Sequence, residues 1–206
     1  MKTSKYKEKA IAGFNTQAKD YDTSKDGAHA RTTYPFVLEK LDNPAYHSIL
    51  DIGCGTGAVL AAIANRNQKI NTLAGIDISP EMVNIASKRL GVRADLRTGD
   101  AENLPWKDSS FDVVLCLDSF HHYPNPRKAL FEMNRVLKPN GRLILADAYI
   151  PGLRRQLMNL FIRFSKEGDV RVYSRSEICD LIKSAGFKDI LWKLVTPNAF
   201  LVDSIR

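Results

Sequence analysis

The stretch DIGCGTG at 51–57 constrains this chain more than any other. Three glycines at alternate positions let the backbone turn sharply and pass close to a ligand, because no Cβ blocks the approach. Ile49 and Leu50 precede the turn and AVLAAIA follows at 58–64, so it should join a strand to a helix. Asp51, at the strand's end, is an acceptor well placed for a ligand ammonium.

The same alternation continues along the chain. HSILDI, NTLAGIDI, ADLRTGD, FDVVLCLD and GRLILADA read as strands, with GAVLAAIANR, PEMVNIASKRL and PRKALFEMNRVL as intervening helices. Such alternation predicts βαβ units and a parallel sheet. Ser79 before Pro80 marks a helix start, and PNG at 139–141 reads as a stop and turn after a helix ending near Leu137. Ahead of the sheet, 4–19 and 28–41 read as helices joined by the polar turn DYDTSKDG. Behind it, a helix near 153–165 places Leu153, Leu157, Leu160, Phe161 and Phe164 on one stripe, with Arg154, Arg155 and Arg163 off it. The next helix opens with a capping-box pattern from Ser174 to Glu177, and strand-like stretches follow near 188–195 and 199–204.

A length of 206 residues with 44% hydrophobic and 26% charged side chains suits one globular domain. No run approaches the roughly 20 apolar residues of a membrane span. The basic start MKTSKYKEKA lacks the apolar core of a signal peptide. Three scattered cysteines, Cys54, Cys116 and Cys179, fit a reducing cytoplasm rather than a disulfide framework. The net charge is +7, but residues 151–175 hold six basic side chains against two acids, so the excess is local.

A glycine-rich turn after a strand also serves dinucleotide sites. GCGTGA at 53–58 fits the loose G-x-G-x-x-A pattern, and Asp77 follows about 24 residues on as a ribose-binding acid. An NAD-type oxidoreductase is therefore one reading. Against it, an acid leading the glycines would oppose a pyrophosphate. Acids also recur at the carboxyl ends of successive strands, at Asp51, Asp77, Asp100 and Asp118. A row of carboxylates in that crevice suits a cationic, hydroxyl-rich ligand better.

Five motifs in order carry a family resemblance over roughly residues 10–190: ILDIGCGTG at 49–57, GIDIS at 75–79, GDAENLPW at 99–106, FDVVLCLDSFHHYPNP at 111–126 and RVLKPNGRLILAD at 135–147. The chain resembles the small class I S-adenosylmethionine-dependent methyltransferases, in the broad group that includes the ubiquinone and menaquinone C-methyltransferases. The resemblance implies an α/β, Rossmann-like doubly wound sheet of seven strands, mostly parallel with an antiparallel last strand, and helices on both faces. It divides a single domain into a helical cap (1–47), a cofactor-binding core (48–149), a substrate-side insert (150–174) and a closing helix with strands (175–206). It implies S-adenosyl-L-methionine as cofactor and S-adenosyl-L-homocysteine as product. Asp51, Gly53, Gly55 and Gly57 would hold the methionyl amino end. Asp77 would accept both ribose hydroxyls, with Ile78 beside the adenine. Asp100 would face the adenine amino group, and Ala101 would donate its backbone N–H. Leu117 and Asp118 would lie at the methionyl and sulfonium end, and Tyr21 would close the site.

Methyl transfer from a sulfonium is an in-line displacement in which positioning supplies much of the acceleration. If a general base is needed, His121 and His122 follow the fourth strand and are the candidates. Cys116 lies nearby, but no further ligand set points to a metal. DSFHHY at 118–123 departs from the N/D-P-P-Y/F motif of nucleic-acid amino-methylating enzymes, so a small-molecule acceptor is expected and nucleic acid is not. The Leu/Phe stripe of the insert would line a pocket for an apolar acceptor, its arginines would meet an anionic group, and weak association with a membrane surface is a further variant. A non-catalytic S-adenosylmethionine-binding protein is the alternative reading.

Overall fold

The computed structural model describes residues 2–42, 46–66, 70–165 and 168–206. Its strands are β1 (Ser48–Ile52), β2 (Thr72–Asp77), β3 (Asp95–Thr98), β4 (Phe111–Leu117), β5 (Leu137–Ala148), β6 (Lys188–Thr196) and β7 (Ala199–Ile205). They form one seven-stranded sheet in the order β3-β2-β1-β4-β5-β7-β6. β3, β2, β1, β4 and β5 pair in parallel, and β7 runs antiparallel to both β5 and β6. The expected mostly parallel sheet with an antiparallel last strand is therefore what forms.

The helices are α1 (Lys2–Gln17), α2 (Lys25–Arg31), α3 (Tyr34–Lys40), α4 (Ala58–Arg66), α5 (Pro80–Leu90), α6 (Pro126–Val136), α7 (Gly152–Phe161) and α8 (Arg175–Ser184). Strand side chains alternate between the two faces, and the core divides accordingly. Leu50, Ile52, Val114, Cys116, Leu143 and Leu145 pack against Leu130 and Met133 of α6 and Ile178 and Ile182 of α8. Ile49, Val113, Leu115 and Ile144 pack on the other face against Val37 of α3, and Val59, Leu60 and Ile63 of α4. The strand order reverses between β1 and β4, and the crevice at their carboxyl ends is where such sheets bind ligands.

The local signals in the chain have physical counterparts. Ser79 accepts the Met82 N–H with Pro80 in the first turn of α5, and the Ser174–Glu177 capping box forms in both directions. Three expectations are corrected. The helix placed at 28–41 is two helices: Ser24 caps α2 seven residues long, the chain turns at Thr32–Thr33, and α3 restarts with Pro35 in its first turn, where a missing N–H does no harm. The PNG turn at 139–141 falls inside β5, as an irregularity: Phe111 pairs with Leu137 and Val113 with Arg142.

The third correction concerns the insert. The apolar stripe of α7, expected to line a pocket, faces solvent instead: Leu153, Leu157, Leu160, Phe161 and, in the following turn, Phe164 are all exposed. The helix is anchored by its other side. Asn159 bonds the backbone N–H and C=O of Val172, Arg155 pairs with Glu177 at 2.7 Å, and Ile162 is buried.

Candidate functional site

The glycine turn is fastened to β2 by its backbone. Gly53 and Cys54 both donate to the Ile76 carbonyl, at 2.8 and 3.0 Å, and Gly55 donates to Asp77 Oδ2 at 2.8 Å. All three glycines have positive φ: 75° at Gly53, 51° at Gly55 and 74° at Gly57. What their missing side chains make room for differs. A Cβ on Gly55 would meet no described atom within 4 Å, so this glycine opens onto free space. A Cβ on Gly57 would lie 3.0 Å from the Ala86 Cβ, so that glycine lets α5 approach and packs rather than faces a ligand.

Above the turn lies a cavity open to solvent. Tyr21, Gly53, Gly55, Asp77, Ile78, Asp100, Ala101, Leu117 and Asp118 all line it, as does His122. Gly57 does not, for the reason just given. Asp51 is buried behind the lining, and its Oδ1 accepts no hydrogen bond from any described residue. Burial, reinforced by the nearby Asp77 carboxylate, pushes Asp51 up to about 8. Burial also raises Asp77, against N–H donors from Ser79, Gly55 and Ile78. Two buried acids a strand apart, one with an unsatisfied acceptor, form a pocket that favours a cation.

The N-terminal segment covers this cavity through contacts that no local pattern announces. Lys7 of α1 reaches Asp100 at 2.7 Å and Glu102 at 2.8 Å. Ser79 Oγ donates to Asn15 Oδ1 at 2.7 Å. Asp22, next to Tyr21, accepts from Thr56 Oγ1 at 2.6 Å and pairs with Arg89, which also donates to the Thr56 carbonyl at 2.9 Å. The Tyr21 turn is thus tied to the glycine turn itself. Burial and the carboxylate of Asp118 raise the Tyr21 phenol, so it stays a neutral hydroxyl.

A second cavity adjoins the first, lined by Phe14, Tyr21, Asp26, His29, Asp118, His121, His122 and Ala148. The two share Phe14, Tyr21, Asp118 and His122. Asp118 adopts φ 50°, donates its N–H to the Ala146 carbonyl at 2.8 Å and bonds His29 Nδ1 at 3.0 Å. His121 Nδ1 lies 2.6 Å from Asp147 Oδ1, while the His121 backbone N–H donates to Asp147 Oδ2 at 2.9 Å. His122 Nδ1 lies 3.2 Å from Asp169 Oδ1, and Phe14 packs edge-on against its ring. Burial alone would lower His121, but Asp147, with Asp118 and Asp169 behind it, raises it to about 10. His121 is therefore an imidazolium at neutral pH, a donor rather than a proton acceptor. His121, His122 and Asp169 also bring three ligand-type atoms within 4.8 Å. Each histidine already faces a carboxylate, His121 that of Asp147 and His122 that of Asp169.

The methyltransferase domain family matches residues 50–145, the segment that carries the glycine turn and β1 to β5. An uncharacterised methyltransferase of Bacillus subtilis, YcgJ, is 37% identical over 147 residues, 68% of this chain and 57% of that protein. The demethylmenaquinone methyltransferase of Thermotoga maritima is 33% identical over 158 residues, 73% of this chain and 66% of that protein. A solved S-adenosylmethionine-dependent methyltransferase of Thermotoga maritima superposes with a TM-score of 0.69 at 25% identity, covering 93% of this chain and 97% of the other. The chain belongs to the class I S-adenosylmethionine-dependent methyltransferases. It spans little more than half the length of the first curated relative it matches. No helix of this methyltransferase, among the described residues, is long and apolar enough to cross a membrane.

The cavity fits the family's cofactor on its own chemistry. Behind the lining, Asp51 carries an acceptor unpaired among the described residues, which suits an ammonium, and the open face of Gly55 leaves ligand space in the cavity. The Asp77 oxygens accept N–H bonds from Gly55 and Ser79, with Ile78 alongside, and carboxylate oxygens retain further acceptor capacity for hydroxyls.

Proposed function

We propose that this methyltransferase moves the methyl group of S-adenosylmethionine onto a small-molecule acceptor held in the second cavity. The observation that carries the reading is the buried Asp51 carboxyl with an acceptor atom unpaired among the described residues, beside a glycine turn that leaves ligand space. When bound, the cofactor supplies an activated methyl on a sulfonium. Asp51 would hold its ammonium and Asp77 its ribose hydroxyls, with Asp100 and Ala101 toward the adenine. Leu117 would line the cofactor side, and Asp118 would stand where the two cavities meet. Tyr21 and Phe14, common to both, would exclude water from the line of transfer.

On the acceptor side His121 orients rather than deprotonates. Asp147 holds its ring through Nδ1 and its backbone through the N–H, and the imidazolium would donate to an oxygen of the acceptor and favour its anionic form. His122 would pack against the acceptor beside Phe14. The test is transfer of labelled methyl from S-adenosylmethionine into small-molecule fractions, with Asp51→Asn as control. Enzyme-dependent label that the variant loses supports the reading. Cofactor binding with no labelled product from any fraction would favour a binding protein instead.

A further inference from the structure

The α7 helix is mounted inside out. At about 100° per residue, Leu153, Leu157, Leu160 and Phe161 share one side, and they are 75%, 59%, 61% and 61% exposed. Arg155, Asn159 and Ile162 lie about half a turn away and face the protein. Arg155 is paired with Glu177, and Asn159 is bonded to both backbone groups of Val172. A helix that had simply failed to pack would not have its polar side held by three specific bonds. Four large apolar side chains on one exposed helical stripe are more than a soluble surface ordinarily shows, and mark a docking face.

Charge selects the occupant. Residues 151–175 hold six basic side chains against two acids, with Arg155 among them paired to Glu177 on the protein side. Arg154 is exposed at the flank of the stripe. A second copy of the chain would bring the same net positive segment against itself, whereas an anionic lipid surface supplies the complement. The stripe is also one convex helix face, the shape that lies in a bilayer interface. We propose that the outward face of α7 docks this protein onto anionic membrane surfaces. The chain runs from Ala148, in the lining of the second cavity, into α7, and Val170 and Arg171 return to bond the His121 carbonyl. The insert that carries α7 is therefore joined at both ends to the walls of the second cavity. That this feeds an apolar acceptor from the lipid phase rests on the methyltransferase reading; the docking itself does not.

The test is sedimentation of the full chain with phosphatidylcholine vesicles with and without phosphatidylglycerol. S-adenosylhomocysteine binding and the melting temperature serve as fold controls. The double variant L157E/F161E should lose about tenfold or more in partitioning while both controls hold, since both side chains are already in solvent. Arg154→Glu should weaken binding selectively to the anionic vesicles, and added salt should mimic it. Failure to sediment with anionic vesicles would overturn the proposal, as would sedimentation that the double variant leaves unchanged. A concentration-dependent dimer broken by L157E/F161E would assign the face to a second copy and overturn it equally. Neither readout needs turnover, so failure here leaves the methyl-transfer reading to its own assay.

Discussion

Replacing Asp51 by asparagine should uncouple ligand binding from proton release. The carboxyl sits near 8 because it is buried beside Asp77, so at pH 6.5 it is almost fully protonated in the ligand-free protein. An ammonium bonded to its unpaired oxygen stabilises the ionised form and drives the proton off. About 0.9 proton should leave per S-adenosylmethionine bound, after a small offset from the ligand's own amino group, whose pKa of about 7.7–8 leaves it mostly charged. Calorimetric titrations at pH 6.5 in buffers of low and high ionisation enthalpy measure this directly. The wild type should show the buffer-dependent heat and Asp51→Asn should not. The sign for stability is opposite to that of an ion-paired acid. A folded-state pKa above the unfolded value near 3.9 means stability is lost as pH rises from about 4 toward 8. Asp51→Asn should therefore melt higher than wild type at pH 8 without ligand, by at least about 1 kcal/mol or ~2–4 °C, while binding the cofactor poorly. Wild-type binding heat independent of buffer would refute the argument that Asp51 meets a cation.

His121 should contribute no titration limb between pH 6 and 9 to the transfer rate, because Asp147 keeps it charged up to about 10. A limb near pH 6–7 that vanishes in His121→Gln would make it a general base instead. Gly57→Ala, which combines a positive φ with a Cβ 3.0 Å from Ala86, should cost about 2 kcal/mol in denaturant melts; a neutral result would return Gly57 to the ligand side. Cys54 and Cys116 are buried, with burial pushing the thiols well up, to about 12 for Cys116, so alkylation at pH 8 should label Cys179 first. Mass spectrometry showing early modification of Cys116 would mean that the sheet opens locally.

The architecture was legible because it rests on local patterns. Alternating apolar runs marked β1 to β5, and the glycine turn, the Ser79–Pro80 start and the Ser174–Glu177 box each act over a few residues. What stayed hidden depends on distance in the chain. Lys7 meets Asp100 across 93 residues, and Arg89 meets Asp22 across 67. Nothing near Lys7 or Asp22 distinguishes them from other surface charges until the sheet brings their partners close. In sequence Asp112 reads as a strand-start residue, while nothing there assigns Asp147 a role. In the fold, Asp147 lies at the carboxyl ends under His121, while Asp112 anchors Ser48 and Lys138 at the opposite end. The periodicity of α7 showed that it has an apolar side. Which side the protein covers was decided by Glu177 and the Val172 backbone, and the covered side is the polar one.

The most direct test of the central claim is calorimetric titration of the protein with S-adenosylmethionine and S-adenosylhomocysteine, with NADH alongside. The cavity beside Gly55 and Asp51 predicts stoichiometric binding of the first two and none of NADH. Binding of NADH, or of none of the three, would contradict the account of this site.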